Sequence, residues 1–100
     1  MAFRIRWTES AASDFESIAR KIESEADFIQ SCQTVRKIHE SVEGLRVHPY
    51  IGEALQGYSE LRRRLVEGFR IVYQVFEKDE VVEITRILHQ KQDLSPHLEF

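Results

Sequence analysis

Three segments of strand-forming residues follow one another late in the chain with very little between them. Leu61 to Val66, Phe69 to Phe76 and Val81 to Leu88 are rich in β-branched and aromatic residues, the types that fit a pleated sheet. Glu67-Gly68 separates the first two segments, and Glu77 to Glu80 separates the last two. Connections this short join neighbouring antiparallel strands, so the sequence predicts a three-stranded meander.

The first half of the chain carries one further strand pattern and two helical patterns. Phe3 to Trp7 alternates apolar and charged residues, which predicts a strand with one buried face. Apolar residues then recur at steps of three and four from about Glu9 to Ile22 and again from Phe28 to Leu45, which predicts two amphipathic helices. The predicted fold class is α+β with the order β-α-α-β-β-β, in which a helical hairpin packs on one face of a small antiparallel sheet.

The remaining stretches are interpreted as connections within one domain. His48 to Ser59 contains Pro49 and two glycines, so it is predicted to be a long connection and a possible site loop. Ser95 to Phe100 has little pattern and is predicted to be irregular. A chain of 100 residues suffices for one hydrophobic core. Burial between helices and sheet is predicted for Phe15, Ile18, Ile38, Ile71, Val75 and Ile84, with Tyr73 as a core aromatic whose hydroxyl is hydrogen-bonded.

Composition narrows the possible function classes. The lone Cys32 excludes an intrachain disulfide framework and favours a reducing cytoplasm. The N-terminus lacks the apolar core of a signal peptide, and no stretch is apolar enough to predict a membrane span. A net charge of -3 counts against a dedicated nucleic-acid binder. No phosphate-binding loop, nucleophile elbow or metal-ligand spacing is present, so we expect no cofactor and no metal.

The predicted sheet concentrates arginines. Arg62 and Arg64 share one face of their strand, Arg63 points to the other, and Arg70 and Arg86 follow on the next two strands. Guanidinium groups packed together need carboxylates or an anionic ligand to offset their repulsion. An anion site and a solvated face of ion pairs are therefore both open readings. The carboxylates available for such pairs are Glu60, Glu67 and Glu83.

The last predicted strand ends in a potential proton-transfer group. His89 is followed closely by Lys91, and an imidazole exchanges protons near neutral pH while an ammonium stabilises developing negative charge. The alternative is a structural histidine that only satisfies local hydrogen bonds. The sequence leaves both roles open.

A specific motif lies within these strands. Gly68 to Tyr73 reads Gly-Phe-Arg-Ile-Val-Tyr, and Leu88-His89 follows about one strand later. With a looser match through His48-Pro49 and Gly52 and a first strand ending in Trp7-Thr8-Glu9, the chain resembles the ParE/RelE superfamily of bacterial toxins over nearly its whole length. The resemblance implies that the chain is the toxin of a type II toxin–antitoxin module, a plasmid stabilisation system protein. It also implies a cognate antitoxin as partner.

Two chemistries occur on this fold, so fold alone does not decide the mechanism. ParE-like members are understood to poison DNA gyrase by protein contact, whereas RelE-like members cut messenger RNA on the ribosome. The acidic net charge and the lack of a tyrosine after Tyr73 favour the ParE-like side. A toxin that has lost its activity and persists as an antitoxin-binding or regulatory partner is a third possibility.

If the chain is a metal-independent endoribonuclease, the resemblance assigns it candidate catalytic residues. Arg62, Arg64 and Arg70 would hold the negative charge of the phosphorane, and His89 would act as base or acid. Glu53 in the preceding loop is a weaker proton acceptor. The candidates for anion or target binding are Arg63, Arg86 and Lys91.

Overall fold

The computed structural model describes residues 2–24 and 28–92. Two helices pack on a five-stranded sheet, which confirms the predicted fold class. The tail predicted to be irregular, residues 95–100, lies outside the described residues. In chain order the elements are β1 (Arg4–Trp7), α1 (Glu9–Ser24), α2 (Phe28–Gly44), β2 (Glu53–Leu55), β3 (Tyr58–Val66), β4 (Phe69–Phe76) and β5 (Val81–His89).

The strand order in the sheet is β1-β5-β4-β3-β2. The meander predicted from the last three strand patterns is present as antiparallel β3, β4 and β5. β1, however, pairs with β5 in parallel, from Arg4 opposite Val81 to Trp7 opposite Ile84, so the sheet is mixed and not wholly antiparallel. Both helices lie between β1 and the rest of the sheet in the chain, and a connection of that length permits a parallel pairing.

The prediction that His48 to Ser59 is only a connection is wrong in part. Glu53–Leu55 forms the short edge strand β2, and β3 begins already at Tyr58. Three residues, Glu-Ala-Leu, carry no β-branched residue and no readable alternation. They pair because β3 begins before Leu61, at Tyr58, and offers an edge to which these residues can bond. This pairing depends on the tertiary structure and not on a local sequence pattern.

The main core lies between the helices and one face of the sheet. Ile38, Ile71 and Ile84 are fully buried, as predicted, and Tyr73 is buried with its hydroxyl bonded. The other three residues predicted to be buried lie at the margin of this core and are only partly covered. They are Phe15, Ile18 and Val75.

Helix α1 begins against the edge of β5 at the point where β1 stops. The Thr8 hydroxyl accepts a hydrogen bond from the Ala11 amide at 3.0 Å, so Thr8 is the helix N-cap that its side chain suits. The same hydroxyl donates to the Thr85 carbonyl at 2.9 Å, and the Thr8 amide donates to the Ile84 carbonyl at 3.1 Å. These bonds occupy backbone carbonyls on the edge of β5 at the last residue that pairs with β1 and just beyond it.

The turn between β3 and β4 contains two residues in the left-handed region. Glu67 has φ 50° and Gly68 has φ 82°, as in the two-residue turns that match the twist of a hairpin. Lys37 on α2 reaches the Glu67 carboxylate at 3.3 Å. The turn is thereby attached to the helical layer. No helix among the described residues is long and apolar enough to cross a membrane.

Candidate functional site

An open cleft of about 520 Å³ lies at the end of the sheet where the β3–β4 turn meets the end of β5. We call it the cation cleft, because four basic side chains and one carboxylate line it within the described part of the chain. Its lining residues are Ile51, Gly52, Glu53, Arg63, Arg64, Leu65, Arg70, Gln90 and Lys91. The sheet thus brings five of the candidate site residues predicted from the sequence into one hollow.

Strand register explains how arginines from β3 and β4 meet there. Arg64 lies opposite Ile71 on the helix-covered face, whereas Arg63 lies opposite Val72 on the other face. Arg70 follows on β4 opposite Leu65. Because successive side chains of a strand point to opposite faces, Arg63 and Arg64 reach the cleft from the two sides of the sheet end.

Most of the positive charge in the cleft is not offset by nearby carboxylates. Arg63 forms an exposed ion pair with Glu53 at 3.3 Å. Among residues 2–24 and 28–92, Arg70 reaches one acceptor, the Gln92 carbonyl at 3.5 Å. Within the described residues, the side chains of Arg64 and Lys91 form no hydrogen bond or ion pair. Among the described residues, an anionic group entering the cleft therefore meets Arg64 and Lys91 without competing carboxylates, and Arg64 and Arg70 are partly covered.

Arg62 lies apart from the other candidate arginines of β3 and β4. It does not line the cation cleft, and its Nη1 donates to the Gly52 carbonyl at 2.7 Å and to the Tyr50 carbonyl at 3.4 Å. Its guanidinium lies 5.0 Å from the centre of the Tyr50 ring, a cation–π contact. Arg62 thus holds the loop that forms one wall of the cleft.

The same loop is held from below by a buried phenol. The Gly52 amide donates to the Tyr73 hydroxyl at 2.8 Å, and burial raises the pKa of Tyr73 above its ordinary value. The amide and the carbonyl of Gly52 are therefore both bonded by side chains, from Tyr73 and Arg62. Residues 51 and 52 consequently have a fixed position beside the cations.

Arg86 is committed to an internal ion pair. Its Nε and Nη2 donate to the two carboxylate oxygens of Asp14 at 2.7 and 2.8 Å, and both side chains are mostly covered. This hydrogen bonding raises the pKa of Arg86. Asp14 also accepts the Ile87 amide at 3.0 Å, so it covers the β5 edge beyond β1. The pair joins α1 to the sheet and lies outside the cation cleft.

His89 lines a separate hollow between α1 and the end of β5. Its neighbours there include Ile18, Phe69 and Lys91, and among these only Lys91 also lines the cation cleft. The imidazole packs edge-on against Phe69 with ring centres 5.4 Å apart, and Nδ1 accepts the Lys91 amide at 3.1 Å. The structure does not bring His89 together with the arginines.

Sequence reasoning missed two apolar residues of the cleft. Ile51 and Leu65 are 52% and 61% exposed and lie beside the arginines. Alternation along β3 places Leu65 on the same face as Leu61 and Arg63, which makes it look like one more core residue. Its exposure follows only from the absence of a strand or helix over it in the described structure.

Comparison with known proteins gives a consistent result. A family model described as the ParE toxin of the type II toxin–antitoxin system parDE matches residues 5–94. Among solved structures, the chain is similar to the chromosomal ParDE toxin–antitoxin system of P. aeruginosa, with a TM-score of 0.73 and 21% identity over 88% of this chain and 96% of that one. No curated protein sequence gives a significant match.

Two further solved structures share the fold. The toxin–antitoxin complex RelBE2 from Mycobacterium tuberculosis has a TM-score of 0.68 at 17% identity, covering 89% of this chain and 99% of that one. The YoeB/ParE toxin from Agrobacterium tumefaciens has a TM-score of 0.66 at 23% identity, covering 86% and 96%. ParE-type and RelE-type structures resemble the chain to similar degrees, so the likeness does not separate the two mechanisms.

Proposed function

Because this chain belongs to the ParE toxin family of type II toxin–antitoxin systems, we propose that it inhibits growth by binding a cellular protein, DNA gyrase, and that its cognate antitoxin neutralises it. The antitoxin is the partner that the family implies, and the gyrase target is the step that the proposal adds. The site for this contact is the cation cleft together with the exposed side chains of Ile51 and Leu65.

The observation that carries the proposal is a cation cluster without a histidine or a tyrosine in its described lining. Cleavage of RNA by its own 2′-hydroxyl needs a base, an acid and cations for the phosphorane charge. Arg64, Arg70 and Lys91 supply cations, but the described lining of the cleft contains no histidine or tyrosine. His89 lies in another hollow with its Nδ1 bonded to a backbone amide. Such a site is suited to binding an acidic surface.

One observation favours the second candidate, a ribosome-dependent mRNA endonuclease. Glu53 lies in the cleft beside Arg63 and is exposed, so its carboxylate can accept a proton from a bound ribose. In that function the arginines hold the phosphate, and no metal takes part. The case is weaker because the described cleft contains no histidine or tyrosine to protonate the leaving oxygen, which leaves that step to Lys91.

The two candidates differ in what the purified toxin does. We expect the chain to inhibit supercoiling by gyrase in vitro and to induce the SOS response early after expression, while bulk translation continues. Ribosome-dependent cleavage of mRNA without an effect on gyrase would reverse the ranking of the two candidates. If neither activity appears and expression leaves growth normal, the proposed toxicity is wrong.

Variants locate the activity on the molecule. Arg70→Gln should raise the toxin concentration for half-inhibition of gyrase by about 10-fold, the scale of one lost hydrogen bond to a charged group. Arg20→Gln is the matched control, since Arg20 forms an exposed ion pair with Glu16 on α1. His89→Gln should leave inhibition unchanged. Under the nuclease candidate, Glu53→Gln should instead slow mRNA cleavage by about 10²-fold.

A further inference from the structure

No strand among the described residues covers the outer edge of β3 at its end. β2 pairs with β3 only as far as Glu53 opposite Arg63. Before Glu53 the chain leaves the sheet, since the Gly52 amide donates to the Tyr73 hydroxyl and not to β3. Leu65 therefore has a strand on one side, β4, and within the described residues no strand on the other.

The backbone of Leu65 points to this open side. A two-residue turn closes on a hydrogen-bonded pair, here Val66 and Phe69, and hydrogen-bonded pairs alternate along an antiparallel ladder. Val66 and Arg64 thus direct their amides and carbonyls to β4, and Leu65 directs its own away. The orientation of the Arg63 carbonyl agrees with this, because it faces Gly52 on the β2 side.

Two hollows flank this edge and share Ile51, Arg64 and Leu65. One is the cation cleft. The other, about 490 Å³, lies toward α2, and its further lining residues include Gly44, His48 and Val66, with Lys37, Glu40 and Glu67 at its rim. We call it the helix-side hollow. A strand laid along β3 sends alternate side chains to opposite sides, so one set would enter the cation cleft and the other the helix-side hollow.

We propose that the β3 edge at Leu65 binds an extended acidic segment of a protein partner as an added strand, with carboxylates in the cation cleft and apolar side chains in the helix-side hollow. Main-chain hydrogen bonds supply affinity in this mode, and the alternate pockets supply specificity. The inference rests on the proposed function in taking the occupant of the cleft to be protein and not RNA.

Charge decides which occupant suits the edge. A second copy of this chain paired through the same edge would place Arg63 and Arg64 beside their own equivalents, and like charges directly opposite destabilise a sheet. An acidic segment instead meets Arg64 and Lys91, whose side chains have no carboxylate partner in the described structure, and Arg70, which has only the Gln92 carbonyl. Carboxylates of the partner would supply the groups that Arg64, Arg70 and Lys91 lack among the described residues.

The binding test uses the full chain and a synthetic peptide of about ten residues, a common strand length, in which glutamate and valine alternate. Its affinity is measured by isothermal titration or fluorescence anisotropy. Three control peptides have the same residues in two blocks, lysine in place of glutamate, or methylated backbone nitrogens at alternate positions. We expect the alternating glutamate peptide to bind at least about 10-fold more tightly than each control. Amide exchange at Leu65 should slow on binding.

Protein variants test the edge and the charge separately. Leu65→Pro removes the outward-facing amide of Leu65 and no hydrogen bond between β3 and β4. Leu65→Ala retains that amide and serves as the control. Binding should be at least about 10-fold weaker for the proline variant than for the alanine variant, because both lose the leucine side chain and only proline loses the amide. If the proline variant does not fold, the methylated peptide makes the same test. Arg70→Gln should weaken binding about 10-fold, and Arg20→Gln should not weaken it.

Several results would overturn the inference. One is binding of the blocked or methylated peptide as tightly as the alternating glutamate peptide. Another is no binding of the alternating peptide at millimolar concentration. The third is that RNA displaces the bound peptide and no protein partner does. Gyrase inhibition without peptide binding removes this inference alone. Peptide binding without gyrase inhibition removes the proposed gyrase target and leaves the strand edge assigned.

Discussion

Gly52 is the position where one added methyl group should cost most. A Cβ there would lie 2.5 Å from the Tyr73 hydroxyl oxygen, 2.6 Å from the Arg63 carbonyl oxygen and 2.9 Å from Tyr73 Cε1. The first and last of these atoms belong to a fully buried ring and the second to the backbone of a paired strand. None of them can move aside by a simple side-chain rotation, so Gly52→Ala must displace the loop.

The magnitude follows from two losses and one gain. Overpacking of a buried site costs about 1 to 3 kcal/mol, and loss of the 2.8 Å bond between the Gly52 amide and Tyr73 costs about 1 to 3 kcal/mol more. Replacing glycine restricts the unfolded chain and returns about 0.4 to 1 kcal/mol. We expect Gly52→Ala to lower the free energy of unfolding by about 1 to 5 kcal/mol.

Equilibrium unfolding in urea measures this change, with Gly44→Ala as the matched control. Gly44 ends α2 and has nothing within 4 Å of its Cβ position. Alanine there should therefore leave the free energy of unfolding unchanged or raise it by up to about 1 kcal/mol. The two substitutions are chemically identical, and only the surroundings differ.

A double-mutant cycle tests the cause. Tyr73→Phe removes the closest atom and should itself cost about 1 to 3 kcal/mol, because it leaves the Gly52 amide without its acceptor. In that background, Gly52→Ala should cost at least about 1 kcal/mol less than in the wild type. Strictly additive effects, or a Gly52→Ala variant as stable as the wild type, would refute the reasoning.

Three further predictions concern stability, each measured by urea or thermal unfolding. Asp14→Asn should cost about 2 to 3 kcal/mol, because it breaks a largely covered bidentate pair with Arg86; a loss below about 0.5 kcal/mol would show that the pair is dispensable. Since burial raises the pKa of Tyr73, the native state keeps that proton longer than the unfolded chain. The stability that this shift adds is complete below the ordinary phenol pKa of about 10 and is lost as pH rises through the higher pKa of the folded state. A Tyr73→Phe variant whose stability declines above pH 10 as steeply as that of the wild type would contradict this prediction. Glu67→Asn should raise stability by about 0.5 to 1 kcal/mol, because asparagine tolerates φ 50° better and the exposed pair with Lys37 is worth little; Lys37→Gln alone measures that pair.

The candidate site was predictable in part from sequence. Strand alternation placed Arg63 and Arg64 on opposite faces, and the structure agrees. Alternation cannot show which of these cations have partners. Asp14 lies 72 residues from Arg86 in the chain, and the Gly52 carbonyl takes up Arg62 from across a loop. The sequence left anion binding and ion pairing open for both arginines, and in the structure their guanidinium groups bond Asp14 and the Gly52 carbonyl.

The sequence by itself determined the two helices, the first strand, the β3–β4–β5 meander and the burial of Ile38. Each of these depends on periodicity and turn chemistry among near neighbours, such as Glu67-Gly68 between two strand patterns. Only the tertiary structure decided that β1 joins β5 in parallel, that Glu53–Leu55 becomes a strand and that His89 lies apart from the cation cleft. Those outcomes depend on which edges and hollows remain uncovered after the layers pack, and no local pattern encodes that.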